Sequence, residues 1–344
     1  PISTRSSASP IRQSELDIRS ETSAAAERIH PHIRETPVER SVWLSGVGKC
    51  DAHLKLENLQ ATGSFKLRGA ANKLLSLSEA ERQRGIVTAS SGNHAGAIAH
   101  LLHGFGWPGT IFVPEDASES KVAMLRQLGA DLRFHGLDCL ETERFAKLNA
   151  EQSDRLFVSS CDDPKIIGGQ GTIGLELERQ IDGIDSVFVP VGGGGLIAGI
   201  AGCLKSKNPD IEIVGCQPEA SAVMYESVKA GRIVKLDSLP PLSDGTAGGI
   251  EGGAITLPIC RDLVDRFVLV SEDEIKAAIR LVLLRHHTLV EGAAALSVAS
   301  FLKTADLTPD SGRRFMTQTY RSLPFDAAHI DVFGRYFHAL GQMG

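Results

Sequence analysis

The chain has 344 residues, of which 42% are hydrophobic and 23% are charged, and its formal net charge at pH 7 is −6. This composition is typical of a globular protein, and the length allows two domains or one large α/β unit. The acidic balance argues against nucleic acid or an anionic membrane as the main partner, because both attract basic surfaces.

The first residues, PISTRSSASPIRQSE, are rich in serine and arginine and lack the apolar core of a secretory signal. We expect residues 1–20 to form a disordered tail, with an organelle leader as the alternative. No apolar run reaches the length of a membrane span. The six cysteines are scattered and contain no CxxC pair, which favours a reducing compartment and argues against a zinc site. We therefore expect a cytoplasmic protein that binds no membrane.

Segments with the apolar spacing of a helix alternate with short apolar runs that are typical of buried strands. In chain order we predict a helix over 14–33 that breaks near Pro31, strand 53–57, helix 64–77, strand 85–90, helix 93–104, strand 109–114, helix 118–129, strand 130–136, helix 138–152, strand 156–160, helix 168–181, strand 186–191, helix 195–207, strands 211–218 and 266–271, and helices 272–287 and 292–303. This alternation predicts an α/β fold, with helices on both faces of mostly parallel sheet. Ligands of such folds bind at the carboxyl ends of the strands, so the loops there are where chemistry is expected.

The first such loop is the stretch TGSFKLRGA, which places Lys66 in the first turn of predicted helix 64–77. Ser64 or Thr62 can cap this helix. A lysine at a helix N-terminus faces the positive end of the helix dipole, which disfavours the ammonium form, and burial acts in the same direction. The position suits a neutral, nucleophilic amine that reacts with an aldehyde, whereas a solvated surface lysine is the alternative.

The second loop, SSGNHAG, follows a predicted strand and opens a predicted helix. Backbone N–H groups at a helix N-terminus form an anion site, and the side chains of Ser90, Ser91 and Asn93 add hydrogen-bond donors. The loop therefore suits a carboxylate or a phenolate oxygen. A well-capped helix start without any ligand is the alternative.

The third loop has four consecutive glycines, 192–195, between a predicted strand and an apolar helix. Without side chains, a phosphate can approach the backbone N–H groups closely. The loop is not a Walker motif, because no GK[ST] follows, and the next strand ends without the acidic residue of a dinucleotide site. Phosphate binding is the favoured interpretation, and a bare tight turn is the alternative.

Together the three loops offer a reactive amine, an anion site and a phosphate site. A cofactor with one aldehyde and one phosphate fits all three, and pyridoxal phosphate is that cofactor.

The segments KLENLQATGSFKLRGA, ASSGNHAGAIA and VGGGGLIAGI resemble those of the fold-type II pyridoxal-phosphate enzymes. Within that group they look like the threonine/serine dehydratase and serine racemase branch. The resemblance extends in order and spacing from about Ile29 to Lys303. It implies the tryptophan synthase beta-like fold, an α/β architecture of two open, twisted, mostly parallel sheets flanked by helices.

The resemblance also implies roles for single residues of the three loops. Lys66 would carry the cofactor covalently, Phe65 would pack beside it, and Asn93 would bond its 3′-oxygen. The other implied cofactor contacts are the phosphate-binding Gly192, Gly193, Gly194 and Gly195, with Gly245 of the SDGTAGG segment and Glu291. The implied substrate-binding loop consists of Ser90, Ser91, Gly92, Asn93 and His94. Lys66 and Ser91 are the candidate catalytic residues.

The resemblance further implies two domains with the site in the cleft between them. We expect a large cofactor-binding domain over residues 21–71 and 164–310, and a small domain over residues 72–163. The chain leaves no room after residue 310 for a regulatory amino-acid-binding domain, so we expect none.

Two departures from the family pattern affect these expectations. Racemase-type relatives hold a divalent metal with carboxylates at the positions of Gln217 and Val223, so we predict no metal site here. The family also ends in a strand and a Ser- or Thr-containing glycine turn that bonds the pyridine nitrogen. Residues 311–344 form an atypical tail, in which Thr317 and Thr319 lack the right neighbours. This tail puts the final strand and the pyridine contact in question, and a shifted reading frame is one hypothesis for it.

The resemblance implies an ammonia-lyase that converts L-threonine or L-serine to a 2-oxo acid and ammonia by α,β-elimination. Bulkier β-hydroxy-α-amino acids, such as phenylserine or a hydroxyectoine-derived one, stay open as substrates. One alternative is an amino-acid racemase, in which Ser91 serves as a second base. The other is a catalytically impaired cofactor-binding protein, which the C-terminal tail motivates. We expect a homodimer or another homo-oligomer.

Overall fold

The computed structural model describes residues 16–305 and 313–318. Its helices are α1 Ile18–Ile29, α2 Val42–Gly48, α3 Lys66–Leu75, α4 Glu79–Arg84, α5 Asn93–Phe105, α6 Glu119–Gln127, α7 Cys139–Gln152, α8 Pro164–Gln180, α9 Gly195–Lys205, α10 Val223–Ala230, α11 Thr256–Leu263, α12 Glu272–His286 and α13 Gly292–Thr304. Its strands are β1 Val38–Arg40, β2 Asp51–Leu56, β3 Ile86–Ala89, β4 Gly109–Val113, β5 Asp131–Phe134, β6 Leu156–Phe157, β7 Ser186–Pro190, β8 Glu212–Pro218, β9 Arg266–Val270 and β10 Arg313–Gln318. Short 3₁₀ turns lie at His30–His32, Glu57–Leu59, Glu219–Ser221 and Asp244–Thr246.

The larger sheet has six strands in the order β1-β2-β10-β7-β8-β9. Strand β1 pairs antiparallel with β2, and every other pairing in this sheet is parallel. All five residues of β7 are buried, as befits a central strand with helices on both faces. The predicted α/β class with mostly parallel sheet is confirmed.

The smaller sheet has four strands in the order β5-β4-β3-β6, all of them parallel. Each of these strands lies inside residues 72–163, the range that the sequence assigns to the small domain. The strands of the larger sheet lie on either side of that range. The division into two domains itself stays a prediction.

Strand β10 corrects the expectation for the final strand. It lies between β2 and β7 and pairs parallel with both, with Arg314 opposite Ala52 on one side and Ser186 on the other. Strand pairing uses backbone groups, and the gap between β2 and β7 would otherwise leave two rows of them unpaired. A strand can therefore form although the family's motif is missing. Thr319, the rest of the tail and the reading-frame hypothesis lie outside the described residues.

The N-terminal boundary also differs from the expectation of a disordered tail over residues 1–20. Helix α1 begins at Ile18, and the side chain of Asp17 caps it by accepting the backbone N–H of Ser20 at 3.0 Å. The cap and the buried Ile18 side chain explain why the helix starts inside the predicted tail. Residues 1–15 lie outside the described residues.

A buried group of charged side chains fixes α3 against β2 and α8. Arg68 donates to both oxygens of Glu57, at 2.8 and 2.7 Å, and to Glu176 Oε1 at 2.5 Å. Lys55 Nζ donates to Glu176 Oε2 at 2.5 Å. Burial disfavours a charge on Arg68, but the two carboxylates outweigh that effect and raise its pKa. Two cations and two anions thus compensate one another beneath the helix that begins with Lys66.

Within the described residues, no helix combines the length and the apolar composition that crossing a bilayer requires.

Candidate active site

Lys66 is the first residue of α3, as the sequence predicts. Its backbone N–H donates to Ser64 Oγ at 3.2 Å, so Ser64 satisfies one amide of the helix start. Its Nζ donates to the backbone carbonyl of Ser160 at 2.8 Å and lies 5.4 Å from the ring centroid of Phe65. The amine is therefore held by a neutral acceptor and an aromatic ring, and no carboxylate among the described residues lies at bonding distance from it.

Burial lowers the pKa of the Lys66 amine. The nearby Cys161, Glu143 and Glu291 act in the opposite direction but do not outweigh the loss of hydration. A lowered pKa increases the neutral fraction of the amine at physiological pH, which is what a nucleophile or a general base requires.

The four-glycine loop connects the end of β7 to the start of α9. Gly194, the residue before α9, has φ +88°, which favours glycine. A Cβ at Gly193 would collide with Cys161 Sγ, and one at Gly195 would lie 2.7 Å from the Cys161 carbonyl oxygen. The first N–H groups of α9 have no partner within the helix and point out of its N-terminus. This loop is thus a cradle with room for an anion and no room for side chains.

Lys66 and the glycine loop share one cavity of about 370 Å³, including the part open to solvent. The residues that line it are Phe65, Lys66, Ser160, Cys161, Gln170, Pro190, Gly192, Gly193, Gly194, Gly195, Leu196, Gly245 and Thr246. An amine of lowered pKa and an anion cradle in one cavity fit an aldehyde that carries a phosphate. The chemistry of these residues therefore fits pyridoxal phosphate.

The loop between β3 and α5 carries the predicted Ser90, Ser91, Gly92 and Asn93, all half-buried. Ser90 Oγ accepts the backbone N–H of Gly92 at 3.1 Å, which shapes the turn into α5. Asn93 Nδ2 donates to the carboxylate of Glu291 at 3.2 and 3.4 Å. The loop thus leads into the N-terminus of α5. There Asn93 is hydrogen-bonded to Glu291, which precedes helix α13 on the flank of the larger sheet.

His94 differs from its predicted neighbours in where its side chain points. Its imidazole is buried, and Nε2 lies 3.0 Å from Thr88 Oγ1 and 3.4 Å from the Val158 carbonyl. Burial first, and the charge of Lys66 second, lower its pKa to about 3. The neutral ring therefore packs inside the smaller sheet's core, and only the backbone N–H of His94 is left for a substrate carboxylate.

Gly245 and Glu291 meet on the side of the cavity next to Asn93. Gly245 lines the cavity, and a Cβ there would lie 3.2 Å from Glu291 Oε1. Glu291 is 4% exposed and precedes α13, but its side chain does not cap that helix. The carboxylate instead accepts the Asn93 amide, so the structure brings these three predicted residues together.

The sequence motifs did not include four of the lining residues, Ser160, Cys161, Gln170 and Pro190. Predicted strand 156–160 ends at Ser160, so the rule that ligands bind at strand carboxyl ends could have found Ser160 and Cys161. Gln170 lies inside a helix, and no local pattern indicates its role.

The predicted lack of a metal site concerned Gln217 and Val223. Gln217 is buried, and its amide donates to the Val191 carbonyl at 3.1 Å and accepts the Tyr225 N–H at 2.7 Å. It thereby ties α10, which begins at Val223, to the strand that ends at the glycine loop. The lack of a metal site itself stays a prediction.

Comparisons with known proteins agree with this geometry. Residues 29–314 match the family described as "Pyridoxal-phosphate dependent enzyme". The chain is 41% identical over 278 residues to the L-threonine dehydratase catabolic TdcB of Escherichia coli strain K12, covering 81% of this chain and 84% of that protein.

Two solved structures share the fold over most of both chains. One is the processed form of threonine deaminase isoform 2 from Solanum lycopersicum, with a TM-score of 0.85, 32% identity, and coverage of 92% of this chain and 87% of that one. The other is maize serine racemase, with a TM-score of 0.84, 28% identity, and coverage of 95% and 99%.

The family match includes Lys66, the glycine loop and Glu291, and it covers most of the chain. The predicted resemblance to fold-type II enzymes and the predicted cofactor are confirmed by the matching family and structures. This chain belongs to the family of pyridoxal-phosphate dependent enzymes.

Proposed function

We propose that this enzyme is a dehydratase, an ammonia-lyase that converts L-threonine or L-serine to a 2-oxo acid and ammonia by α,β-elimination. The observation that carries the proposal is one cavity that holds the Lys66 amine beside the glycine cradle. It occurs in a chain 41% identical to a catabolic L-threonine dehydratase over 81% of its length.

Binding places the reacting atoms near Lys66. The N–H groups of residues 192–195 and the N-terminus of α9 hold the phosphate. The loop of residues 90–93 and the N-terminus of α5 hold the substrate carboxylate. Pyridoxal phosphate, when bound, delocalises the negative charge that develops at the substrate α-carbon.

Lys66 is the general base. Its lowered pKa increases the neutral fraction of the free amine, and the neutral Nζ can take the α-proton. The substrate then loses this proton and its β-hydroxyl, together one water, and the resulting enamine hydrolyses to the 2-oxo acid and ammonia. Closure of the small domain over the cavity excludes bulk water during these steps.

The test is made on the purified protein with pyridoxal phosphate added. We expect a visible absorbance band from the lysine-bound cofactor, and 2-oxo acid production from L-threonine, L-serine or L-phenylserine. Lys66→Ala should abolish both. Keto acid production that persists in Lys66→Ala would overturn the assignment of the base. A band without turnover of any of these substrates would favour the catalytically impaired cofactor-binding protein.

The second candidate function is a racemase, which the structural similarity to maize serine racemase favours. Ser91, half-buried in the loop that opens α5, would be the second base on the opposite face of the substrate. Chiral chromatography of serine recovered from the reaction distinguishes the two. D-serine that accumulates in wild type and is lost in Ser91→Ala would favour racemisation, and L-serine alone would favour elimination.

We also propose that the enzyme is cytoplasmic and forms a homodimer or another homo-oligomer. The acidic composition and the scattered cysteines support the first statement. Light scattering coupled to size-exclusion chromatography measures the second, and a mass equal to one chain of 36.8 kDa would contradict it.

A further inference from the structure

Gln170 is a cavity residue to which the reaction described above gives no role. It lies in α8, is 1% exposed, and lines the cavity together with Lys66 and Ser160. A polar side chain so deeply buried is expected to have hydrogen-bond partners.

The side-chain oxygen of Gln170 lacks such a partner. Several buried side-chain atoms of the described residues have none, and Gln170 Oε1 is the one whose residue lines the cavity. Leaving a buried acceptor unsatisfied costs about 1–3 kcal/mol. The Gln170 amide keeps an unsatisfied acceptor at this cost in free energy, and it lies beside a reactive amine. This indicates that the hydrogen-bond donor for its oxygen forms during the reaction.

The position of the amide is fixed by α3. A Cβ at Gly69 would collide with Gln170 Nε2 and lie 3.0 Å from its Cδ. Gly69 stands three residues after Lys66, about one helical turn, so the amide rests against the turn that bears the reactive lysine. The missing side chain at Gly69 makes the space that the amide fills.

The Lys66 amine needs more acceptors after it takes a proton than before. A protonated amine has three N–H donors, and the structure gives Nζ one acceptor, the Ser160 carbonyl at 2.8 Å. Unsatisfied donors on a buried cation are costly. Gln170 lines the same cavity, and its Oε1 is an acceptor to which no described residue donates a hydrogen bond.

We propose that Gln170 is a positioning residue whose Oε1 accepts a hydrogen bond from the protonated Lys66 amine and holds it in place for the next proton transfer. The part of this inference that concerns proton transfer rests on the proposed function. The charged and titratable groups around the amine are Cys161, Glu143, Glu291 and His94. Gln170 differs from them because its side chain does not titrate and acts through a hydrogen bond.

The first test measures the amine itself, without substrate and without turnover. Competitive acetylation of the cofactor-free full chain at a series of pH values, read by mass spectrometry, gives the pKa of Lys66. Gln170→Met removes the acceptor at similar volume and should lower this pKa by about one unit. Gln170→Glu keeps an acceptor and adds a negative charge, so it should raise the pKa above that of wild type.

Gly69→Ala is a matched variant that leaves Gln170 in the chain but displaces its amide. It should lower the pKa of Lys66 in the same direction as Gln170→Met, so the test stands even if one variant fails to fold. With the cofactor bound, Gln170→Met should reduce kcat about tenfold with little change in KM, and Gln170→Glu should restore part of it.

An unchanged pKa of Lys66 in folded Gln170→Met and Gly69→Ala would overturn the proposal. So would equal losses of kcat in Gln170→Met and Gln170→Glu, because a purely structural amide would be lost in both. Because acetylation needs no substrate, failure of the proposed reaction would leave the first measurement valid.

Discussion

At the scale of single residues, the site depends as much on glycines, which have no side chain, as on the side chains that line it. The glycine loop is closed in by Cys161, whose Sγ lies where a Cβ of Gly193 would be. Gly193 therefore has a reason beyond flexibility, since a methyl group there would push against the thiol and narrow the phosphate cradle.

This packing gives a double-variant test. Gly193→Ala should weaken pyridoxal phosphate binding about tenfold, because overpacking costs about 1–3 kcal/mol. Adding Cys161→Ala to the same chain removes the Sγ and should restore most of the affinity, measured by titrating the visible band. Gly46→Ala, where a Cβ meets nothing within 4 Å, is the control. Equal affinities in the single and the double variant would contradict the packing argument.

The buried His94 gives a pH prediction with a definite sign. Its pKa is about 3 in the fold, because burial disfavours the cation, and it returns to about 6.5 on unfolding. Between these values the unfolded chain binds the extra proton, so the free energy of unfolding rises with pH and is fully regained above about 6.5.

The measurement is urea unfolding at pH 4.5, 5.5 and 6.5. In a plot of the free energy of unfolding against pH, His94→Gln should remove a slope of up to about 1.4 kcal/mol per pH unit. The carboxylates titrate in both chains, so their contribution cancels in this comparison. Parallel profiles for wild type and His94→Gln would show that the ring is hydrated.

At the scale of elements, the sequence predicts the helices and strands that are long and whose apolar residues recur with a regular local period. The predicted helices over residues 195–207 and 272–287 match α9 and α12 within two residues at each end. The sequence pattern predicts neither β1, of three residues, nor α4, of six, because such short segments show no clear period. The position of β10 depends on two partner strands that are both more than one hundred residues away, which no local pattern reports.

The candidate site likewise consists of residues that local sequence motifs predict and of contacts that they do not predict. The three motifs supplied Lys66, the Asn93 loop and the glycine cradle, because each combines a strand end, a helix start and a distinctive composition. The contact of Asn93 with Glu291 and the packing of Gln170 on Gly69 join distant elements. Such contacts follow from the folded chain and not from local spacing.

The charges beneath α3 give a prediction at this scale. Arg68→Met leaves Glu57 and Glu176 buried with Lys55 as their nearby cation, and should cost about 3–5 kcal/mol of unfolding free energy. The control is Arg84→Met, which breaks the exposed pair with Asp154 and should cost less than about 1 kcal/mol. Urea unfolding compares the two, and similar losses would contradict the argument.

At the scale of the whole molecule, ion pairs join the flank of the smaller sheet to the cavity. Lys121 of α6 pairs with Asp244 at 2.5 Å, and Lys147 of α7 pairs with Glu251. Both acids belong to the segment that contributes Gly245 to the cavity lining. These pairs therefore couple the position of the smaller sheet to the shape of the site.

A charge exchange tests this coupling. Lys121→Glu should raise the KM for L-threonine about threefold at low salt, and the effect should shrink at high salt because the pair is partly exposed. Adding Asp244→Lys should restore the wild-type KM. Lys205→Glu, which opposes Asp265 on the flank of the larger sheet, is the control and should leave KM unchanged.

The place of β10 has a consequence for how the protein is made. The ribosome releases β2 early and β10 roughly 260 residues later, yet Asp51 and Arg313 lie side by side in the sheet. Until then, the edges of β2 and β7 that β10 covers stay open to pairing with other chains. Such a high contact order slows folding, so we expect the larger sheet to close only after synthesis has passed residue 318.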